Sequence, residues 1–237
     1  MATLALLHSQ LTSAAAWGKL PAVLRERGHA VVVPQVVDDV APPYAVGYVA
    51  RCAVQLRSML GSDDAVLVAH SGAGALLPQV GLARHAAGGG VDGYVFLDAG
   101  LPRTLATRDR LDLMATEDAE LAGQLREHLE QGGQFPAWGD ADLATEVPDD
   151  DERAALVAGL RPRGLDFFTE ELPVAEDWPD APAGFLRLSP AYDQPARAAA
   201  LRGWPVVSRD LGHFAALAQP VETADALEEL LRALLGD

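Results

Sequence analysis

The sequence predicts an α/β fold in which a mostly parallel sheet is covered by helices and interrupted by a helical cap insertion. Two observations support this prediction. Short strand-like runs alternate with helix-like segments over residues 1–100 and again over 184–237. Residues 101–183 break the alternation, because they contain helical pieces and loops rich in Pro, Trp and Gly but no convincing strand. Strand–helix–strand units build parallel sheets through right-handed crossovers, so the flanking ranges are expected to form one core domain and the middle range a cap or lid.

The first range contains four short apolar runs that predict strands, separated by helix-like segments. The strands are expected at 3–7, 29–37, 65–69 and 93–97, and the helices between them at 13–27, 44–60 and 71–87. Pro34 lies inside the second strand. Because proline has no N–H to donate to a ladder, this strand is expected at an edge of the sheet.

The same alternation returns after the insertion. A strand is expected at 184–189, a helix at 194–202, a strand at 205–208 and a final amphipathic helix at 220–235. Within the insertion the helical pieces are expected near 104–130 and 150–160. The chain is therefore predicted to be one α/β core that leaves and re-enters its sheet around a cap.

Composition excludes several classes of protein. The 237 residues are 49% hydrophobic and carry a net charge of -16, a field that repels phosphate backbones and anionic lipid, so no nucleic-acid or membrane partner is expected. Cys52 is the single cysteine, which excludes an intrachain disulfide and a Cys-based metal site. The residues show no HExxH motif, and we expect no secretory signal and no membrane span. We expect a cytoplasmic protein that acts on a small molecule without metal or cofactor; the oligomeric state stays open.

The most informative motif runs from Val66 to Gly74, with the sequence VLVAHSGAG. A predicted strand leads into Ser71, which is flanked two residues away on each side by the small residues Ala69 and Ala73. A tight strand-to-helix turn that exposes a nucleophilic serine needs small residues at those positions. Two competing roles stay open for this segment: Ser71 as a plain helix N-cap, and a dinucleotide-binding turn, although Leu77 stands where its third glycine would be.

Two further segments fit a serine-dependent chemistry. His213 lies in a loop between the last predicted strand and the last helix, where a general base reaches a serine at the sheet edge. The turn His8-Ser9-Gln10 follows the first strand, and the amide of Gly72 follows the serine. Amides at such positions stabilise a developing oxyanion.

With these motifs the chain resembles the α/β-hydrolase fold superfamily over nearly its whole length, and most of all its compact actinobacterial members. It departs from the family pattern in three ways: Ser9 replaces a usual glycine, alanine occupies both small positions of the serine turn, and the N-terminal antiparallel hairpin is missing. The resemblance implies that the backbone N–H groups of Gln10 and Gly72 form the oxyanion hole.

The acid that completes a triad has two candidates. Asp193 follows the strand that returns from the insertion, and Asp98 ends the strand before it. Both lie at carboxyl ends of predicted strands, where such folds place their chemistry. Each could instead have a purely structural role, Asp193 as a turn residue and Asp98 as a cap of the loop that follows. The prediction favours Asp193, with Asp98 as the alternative.

The substrate pocket is expected to involve His70, Trp138 and Phe168. His70 is expected to pack against the pocket wall, and the two aromatic residues of the insertion either line the pocket or form the core of the cap. The predicted function is a serine hydrolase that cleaves a small apolar ester, thioester or lactone through an acyl-enzyme. Two alternatives remain: a lyase or cyclase on the same fold, and a ligand-binding protein with a vestigial triad.

Overall fold

Six strands form a single sheet in the computed structural model, which describes residues 1–37, 41–104, 106–174 and 178–236. All five pairings between neighbouring strands are parallel. The strands are β1 Thr3–Leu7, β2 Ala30–Val32, β3 Ala65–Ser71, β4 Val91–Ala99, β5 Ala183–Arg187 and β6 Val206–Ser208, in the spatial order β2-β1-β3-β4-β5-β6. The predicted fold class is confirmed.

Eleven α-helices accompany the sheet in the described residues. They are α1 Leu20–Glu26, α2 Tyr44–Leu60, α3 Leu77–Ala86, α4 Arg110–Glu117, α5 Ala119–Glu130, α6 Asp140–Leu143, α7 Asp150–Ala158, α8 Leu165–Thr169, α9 Asp193–Leu201, α10 Ala215–Ala218 and α11 Pro220–Leu235. Short 3-10 turns precede α1, α3 and α9. In this part of the chain, no helix combines the length and apolarity that crossing a membrane requires.

The alternation of side chains along each strand builds two apolar layers. Ala5, Leu67 and Phe96 face one layer, which includes residues of α2, α3 and α9. Their sequence neighbours Leu6 and Val68 face the other layer, which is closed by α1 and α11. A parallel sheet that is covered on both faces needs strands that are apolar at every position, which explains why the strands are apolar runs.

The edge position of the second strand is confirmed, but its length is shorter than expected. β2 pairs only with β1, over Ala30, Val31 and Val32. The predicted strand extended to residue 37, and Pro34 accounts for the difference because it removes a donor from the ladder. In the described residues, every strand pairing is parallel, as expected for a chain without the N-terminal hairpin.

Helices α4 to α8 lie between β4 and β5 in the chain, in the range predicted to form a cap. The described part of this range has one isolated β-bridge, which joins Phe135 and Arg163. Positions 105 and 175–177 of the predicted insertion lie outside the described residues. The division of the chain into core and cap stays a proposal.

Candidate active site

Ser71 ends β3 with its backbone in the left-handed region, at a φ of 58°. A residue with a Cβ atom is strained there, and such strain persists only where the surrounding structure enforces it. The first helical turn after it begins at Gly74, with Ala73 as its N-cap and no side-chain capping bond. Ser71 is therefore not a helix N-cap, and its side chain is presented at the end of a central strand.

Close packing explains the small residues around this turn. Ala69 and Ala73 are fully buried. A Cβ atom at Gly74 would lie 2.2 Å from the carbonyl oxygen of Gly100, just after the end of the neighbouring strand β4. Any side chain at residue 74 would therefore push the two strand ends apart. Gly74 serves this packing and Gly72 faces the Ser9 hydroxyl, so a dinucleotide-binding role is not needed to account for the two glycines.

Asp98 is a buried carboxylate near the end of β4, and it too has a left-handed backbone, with a φ of 43°. Its Oδ1 accepts hydrogen bonds from the backbone N–H groups of Leu188 (2.7 Å) and Ser189 (2.9 Å). Its Oδ2 accepts from the Ser189 hydroxyl at 2.6 Å. Burial alone raises the pKa of Asp98, but the hydrogen bonds, above all that from His213, outweigh it and hold the pKa below its usual range.

His213 completes this network from the loop after β6. Its Nδ1 lies 2.8 Å from Asp98 Oδ2, a geometry in which the imidazole donates from Nδ1 and leaves Nε2 to accept. Gly212, with a φ of 99°, allows the sharp turn before it. The N–H groups of Leu211 and Gly212 both donate to Leu188 O, which ties this loop to the end of β5.

The prediction that Asp193 is the partner of His213 is wrong. Asp193 Oδ1 instead accepts a hydrogen bond from Arg187 Nε at 2.7 Å, and the Asp193 side chain is 44% exposed. A 3-10 turn over residues 190–192 separates Asp193 from the end of β5, so that it begins α9. The alternative, Asp98, occupies the expected place because β4 and β5 are neighbours and its carboxylate spans their ends.

The predicted oxyanion residues Gln10 and Gly72 line the same cavity as Ser71. The turn after β1 is held by Ser9, whose carbonyl accepts from Thr12 N–H and whose hydroxyl accepts from Leu11 N–H. The Gln10 side chain is fixed at both ends: its Nε2 donates to Tyr44 O and its Oε1 accepts from Arg110 Nη2. Ser9 replaces the usual glycine, and its hydroxyl faces Gly72: a Cβ atom at residue 72 would lie 3.1 Å from Ser9 Oγ.

His70 is not among the residues that line the cavity, although the substrate pocket was expected to involve it. It is 1% exposed and packs between Trp17 and His213, with its ring 4.5 Å from the His213 ring. Its Nε2 donates to the backbone carbonyl of His213 at 2.9 Å. Burial and the neighbouring His213 lower the pKa of His70 to about 3, so its ring is neutral. It holds the His213 backbone and packs against the His213 ring.

Tyr192 is a site residue that the sequence reasoning missed. Its ring stacks on the His213 ring at 5.2 Å with an interplanar angle of 11°, and its hydroxyl lies 3.5 Å from Ser71 Oγ. Tyr192 lies in the 3-10 turn after β5, directly before Asp193. Its place next to the favoured acid could have indicated that it belongs to the site. The strand end presents an aromatic ring to the histidine where an acid was expected.

The cavity around Ser71 has a volume of about 440 Å³, in the range of small-molecule sites. Trp138 and Phe168 both line it, and Phe168 is also 1% exposed within an aromatic cluster that includes Phe167. Most of the wall is apolar and comes from the helices and loops between β4 and β5. It includes Leu113, Met114, Leu121, Phe135 and Leu143.

Two charged residues of α4, Arg110 and Glu117, also line the cavity and were not predicted. Arg110 Nη1 lies 3.3 Å from Glu170 Oε2 and donates to the Phe167 carbonyl. The Arg110 guanidinium also lies 3.9 Å from the centre of the Phe167 ring. Burial, and next the charge of Asp98, raise the pKa of Glu117 to about 8. Both residues share the helical face of Leu113 and Met114, a spacing that could have shown them.

A family model described as the alpha/beta hydrolase family matches residues 4–226, which include every residue of this site. The chain belongs to the alpha/beta hydrolase family. Its membership makes it a hydrolase-like enzyme. No curated protein sequence matches this alpha/beta hydrolase significantly.

Solved structures share the fold over their whole length. An extracellular alpha/beta-hydrolase from a Paenibacillus species, described as homologous in structure and function to tobacco salicylic acid binding protein 2, superposes with a TM-score of 0.74 at 18% identity over 100% of both chains. Tomato methylketone synthase I gives 0.69 at 17% over 98% of both chains. Polyneuridine aldehyde esterase gives 0.64 at 17% over 98% of this chain and 99% of the other. At these identities the comparison establishes the fold.

Proposed function

We propose that this alpha/beta hydrolase cleaves a small, largely apolar ester, thioester or lactone through an acyl-enzyme on Ser71. The observation that supports this most is the 2.8 Å contact between His213 Nδ1 and the buried Asp98, in a cavity that Ser71 also lines. Esterases with the same fold add support, since they include polyneuridine aldehyde esterase. The apolar wall of the cavity matches an apolar substrate.

In the proposed mechanism, Ser71 Oγ attacks the carbonyl carbon while His213 Nε2 takes its proton. The amides of Gln10 and Gly72 donate to the oxyanion of the tetrahedral intermediate. The intermediate collapses, the bond to the leaving group breaks, and His213 returns the proton to that group. Water, deprotonated by His213, then attacks the acyl-enzyme and frees Ser71.

The charge on His213 in these steps is balanced by Asp98, which keeps Nδ1 protonated and Nε2 free to accept. In the present structure the Ser71 hydroxyl is 3.5 Å from the Tyr192 hydroxyl. Hydrogen bonds of a catalytic serine are often long without substrate and tighten when it binds. The neutral state of His70 suits this mechanism, because a positive charge on the adjacent His70 ring would oppose the protonation of His213.

Labelling with a fluorophosphonate, together with hydrolysis of 4-nitrophenyl esters of graded acyl length, tests the proposal. We expect rapid labelling of the wild type. Ser71→Ala should not be labelled, and its turnover should be lower by a factor on the order of 10⁶. Ser58→Ala, on the exposed face of α2, is the matched control and should behave as wild type.

Each rival function has its own outcome in this experiment. Turnover that survives Ser71→Ala would contradict the serine mechanism and favour a lyase or cyclase. Binding of the esters without labelling or turnover would indicate a ligand-binding protein with a vestigial triad.

A further inference from the structure

Glu117 is an unusual group in a largely apolar cavity. It ends α4 on the helical face that presents Leu113 and Met114 to the same space. Arg110, at the other end of this face, is fully engaged by protein groups. Glu117, in contrast, has no hydrogen bond or ion pair to any residue in the described ranges, and its electrostatic neighbours include Asp98 and the Tyr192 hydroxyl.

The carboxyl lies beside Gly100 and lines the same cavity as Ser71. Its Oε1 is 3.3 Å from the position that a Cβ atom at Gly100 would occupy, and Gly100 N–H donates to the Ser71 carbonyl at 3.2 Å. Glu117 therefore packs over the residue that adjoins the Ser71 backbone. A Cβ atom at residue 100 would require the carboxyl to shift by a few tenths of an ångström, so the glycine gives the carboxyl its present room.

The carboxyl is neutral at pH 7, because its pKa is raised to about 8 by burial and by the Asp98 charge. A neutral carboxyl is a hydrogen-bond donor, and it is unfavourable to leave a donor without an acceptor once water is displaced. No protein group in the described residues is hydrogen-bonded to this carboxyl, which lines the cavity. A substrate that displaces water from the cavity therefore has to supply the acceptor.

We propose that Glu117 is a specificity-determining residue that donates a hydrogen bond to an uncharged oxygen function of the substrate, a keto, hydroxyl or amide group close to the scissile carbonyl. This proposal rests on the proposed function, because it takes the cavity as the substrate site. The preferred substrates are therefore oxygenated esters, in which one polar group interrupts an otherwise apolar chain. An ammonium group would need the ionised carboxylate, which Asp98 opposes.

Matched esters test this substrate class. Methyl hexanoate is compared with its 3-, 4- and 5-oxo analogues, each rate being corrected for the alkaline hydrolysis rate of the ester in water. We expect kcat/KM of the wild type to be about tenfold higher for at least one oxo ester, the effect of one hydrogen bond to a buried donor. Glu117→Leu should abolish the preference, mainly by raising KM for that oxo ester. Glu117→Gln should keep most of it, because its amide still donates.

The controls separate recognition from folding. Glu120→Gln, at an exposed position of α5, should leave the preference unchanged. Melting temperatures identify any variant that fails to fold, and Glu117→Met then replaces Glu117→Leu. No preference for any oxo ester in the wild type, a preference that survives in the apolar variants, or a preference for an amino-substituted ester would each overturn the proposal.

Binding of ketones distinguishes this failure from a failure of the hydrolase mechanism. Heptan-2-one and the 2,4-, 2,5- and 2,6-heptanediones cannot be hydrolysed, and calorimetry gives their affinities for the wild type and the Glu117 variants. A preference for a dione that is lost in Glu117→Leu supports the role of Glu117 even if Ser71 proves not to be a nucleophile. Equal affinities for the monoketone and all three diones would contradict it, whether or not esters are cleaved.

Discussion

Asp98 bears a negative charge that is completely buried between the ends of β4 and β5. Four donors from Leu188, Ser189 and His213 surround its two oxygens, and they compensate for the water that it loses. Asp193, half-exposed and paired with Arg187, forms a surface ion pair of the kind that contributes about 0–1 kcal/mol. The two carboxylates that the sequence left in competition thus differ in burial and in partners.

Exchange of each acid for its amide should separate their roles. Asp98→Asn is expected to lower turnover by at least about 10², because the amide no longer fixes the His213 tautomer or balances its charge. Asp193→Asn should change turnover by less than about threefold, since an exposed ion pair contributes little. Initial rates on a 4-nitrophenyl ester, measured with folded fractions checked by circular dichroism, decide between them. A larger loss in Asp193→Asn would contradict the assignment.

Glu117 makes a separate prediction about stability and pH. Its pKa is raised from 4.5 to about 8 in the folded protein, so between these values the native state binds more protons than the unfolded state. The contribution of Glu117 to the free energy of unfolding therefore falls as pH rises through this window and is constant above it. Glu117→Gln, which cannot ionise, should gain stability relative to the wild type from pH 4.5 to 8, by roughly 1–3 kcal/mol once solvent in the cavity is allowed for. Urea unfolding across this range is the measurement, and a constant difference would contradict it.

At the scale of elements, the sheet supplies the reacting groups and the helices after β4 supply most of the wall. Ser71 and Asp98 lie at the carboxyl ends of β3 and β4, and His213 follows β6. The apolar faces of α4 and α5 and the aromatic residues near them close the cavity. Substrate size should therefore depend on the helices, whereas the chemical step depends on the strand ends.

Trp138 offers a direct test of this division. It is partly buried against Phe135 and Phe214, whereas Phe168 is fully enclosed. Trp138→Ala should shift the preferred acyl chain to greater length while turnover of the acetyl ester stays within about threefold of the wild-type value, because bulk in an apolar pocket contributes about 1–3 kcal/mol to discrimination. Phe168→Ala should mainly lower the melting temperature, with a cost of about 3–5 kcal/mol. An unchanged length profile in Trp138→Ala would remove this residue from the substrate pocket.

At the scale of the whole molecule, the excess of acidic residues is the dominant feature. The 34 acidic and 18 basic side chains give a net charge of -16 at pH 7, and self-repulsion of this size opposes the compact state. The sequence pI is about 4.6, so the repulsion is much weaker near pH 5. The charge does not choose the fold, but it sets how the stability responds to salt.

Sodium chloride should therefore stabilise the protein at neutral pH. At about 0.5 M salt the screening length is below 10 Å, which removes most long-range repulsion between surface carboxylates. We expect a melting temperature that rises by a few degrees at pH 7.5 and changes little at pH 5. Differential scanning fluorimetry in sodium chloride, with sucrose as an uncharged control, measures this effect. A decrease at pH 7.5 would mean that attractive ion pairs outweigh the net repulsion.

The sequence by itself determined the features that depend on local pattern. Apolar runs placed the six strands, Pro34 marked the edge strand, and the small residues around Ser71 predicted the turn that presents it. Each of these features depends on residues that lie within a few positions of one another in the sequence. Backbone hydrogen bonding and steric limits act over that range, so a local pattern is enough to predict them.

Only the tertiary structure decided which acid meets His213. Asp98 and Asp193 satisfy the same chain order and both follow strands, but the choice depends on whether a side chain points between two neighbouring strand ends or out to Arg187. The same holds for Glu117 and Tyr192, which come from distant segments and line the same cavity as Ser71. Such contacts join residues far apart in sequence, and their distances depend on the packing of whole elements, which no local pattern encodes.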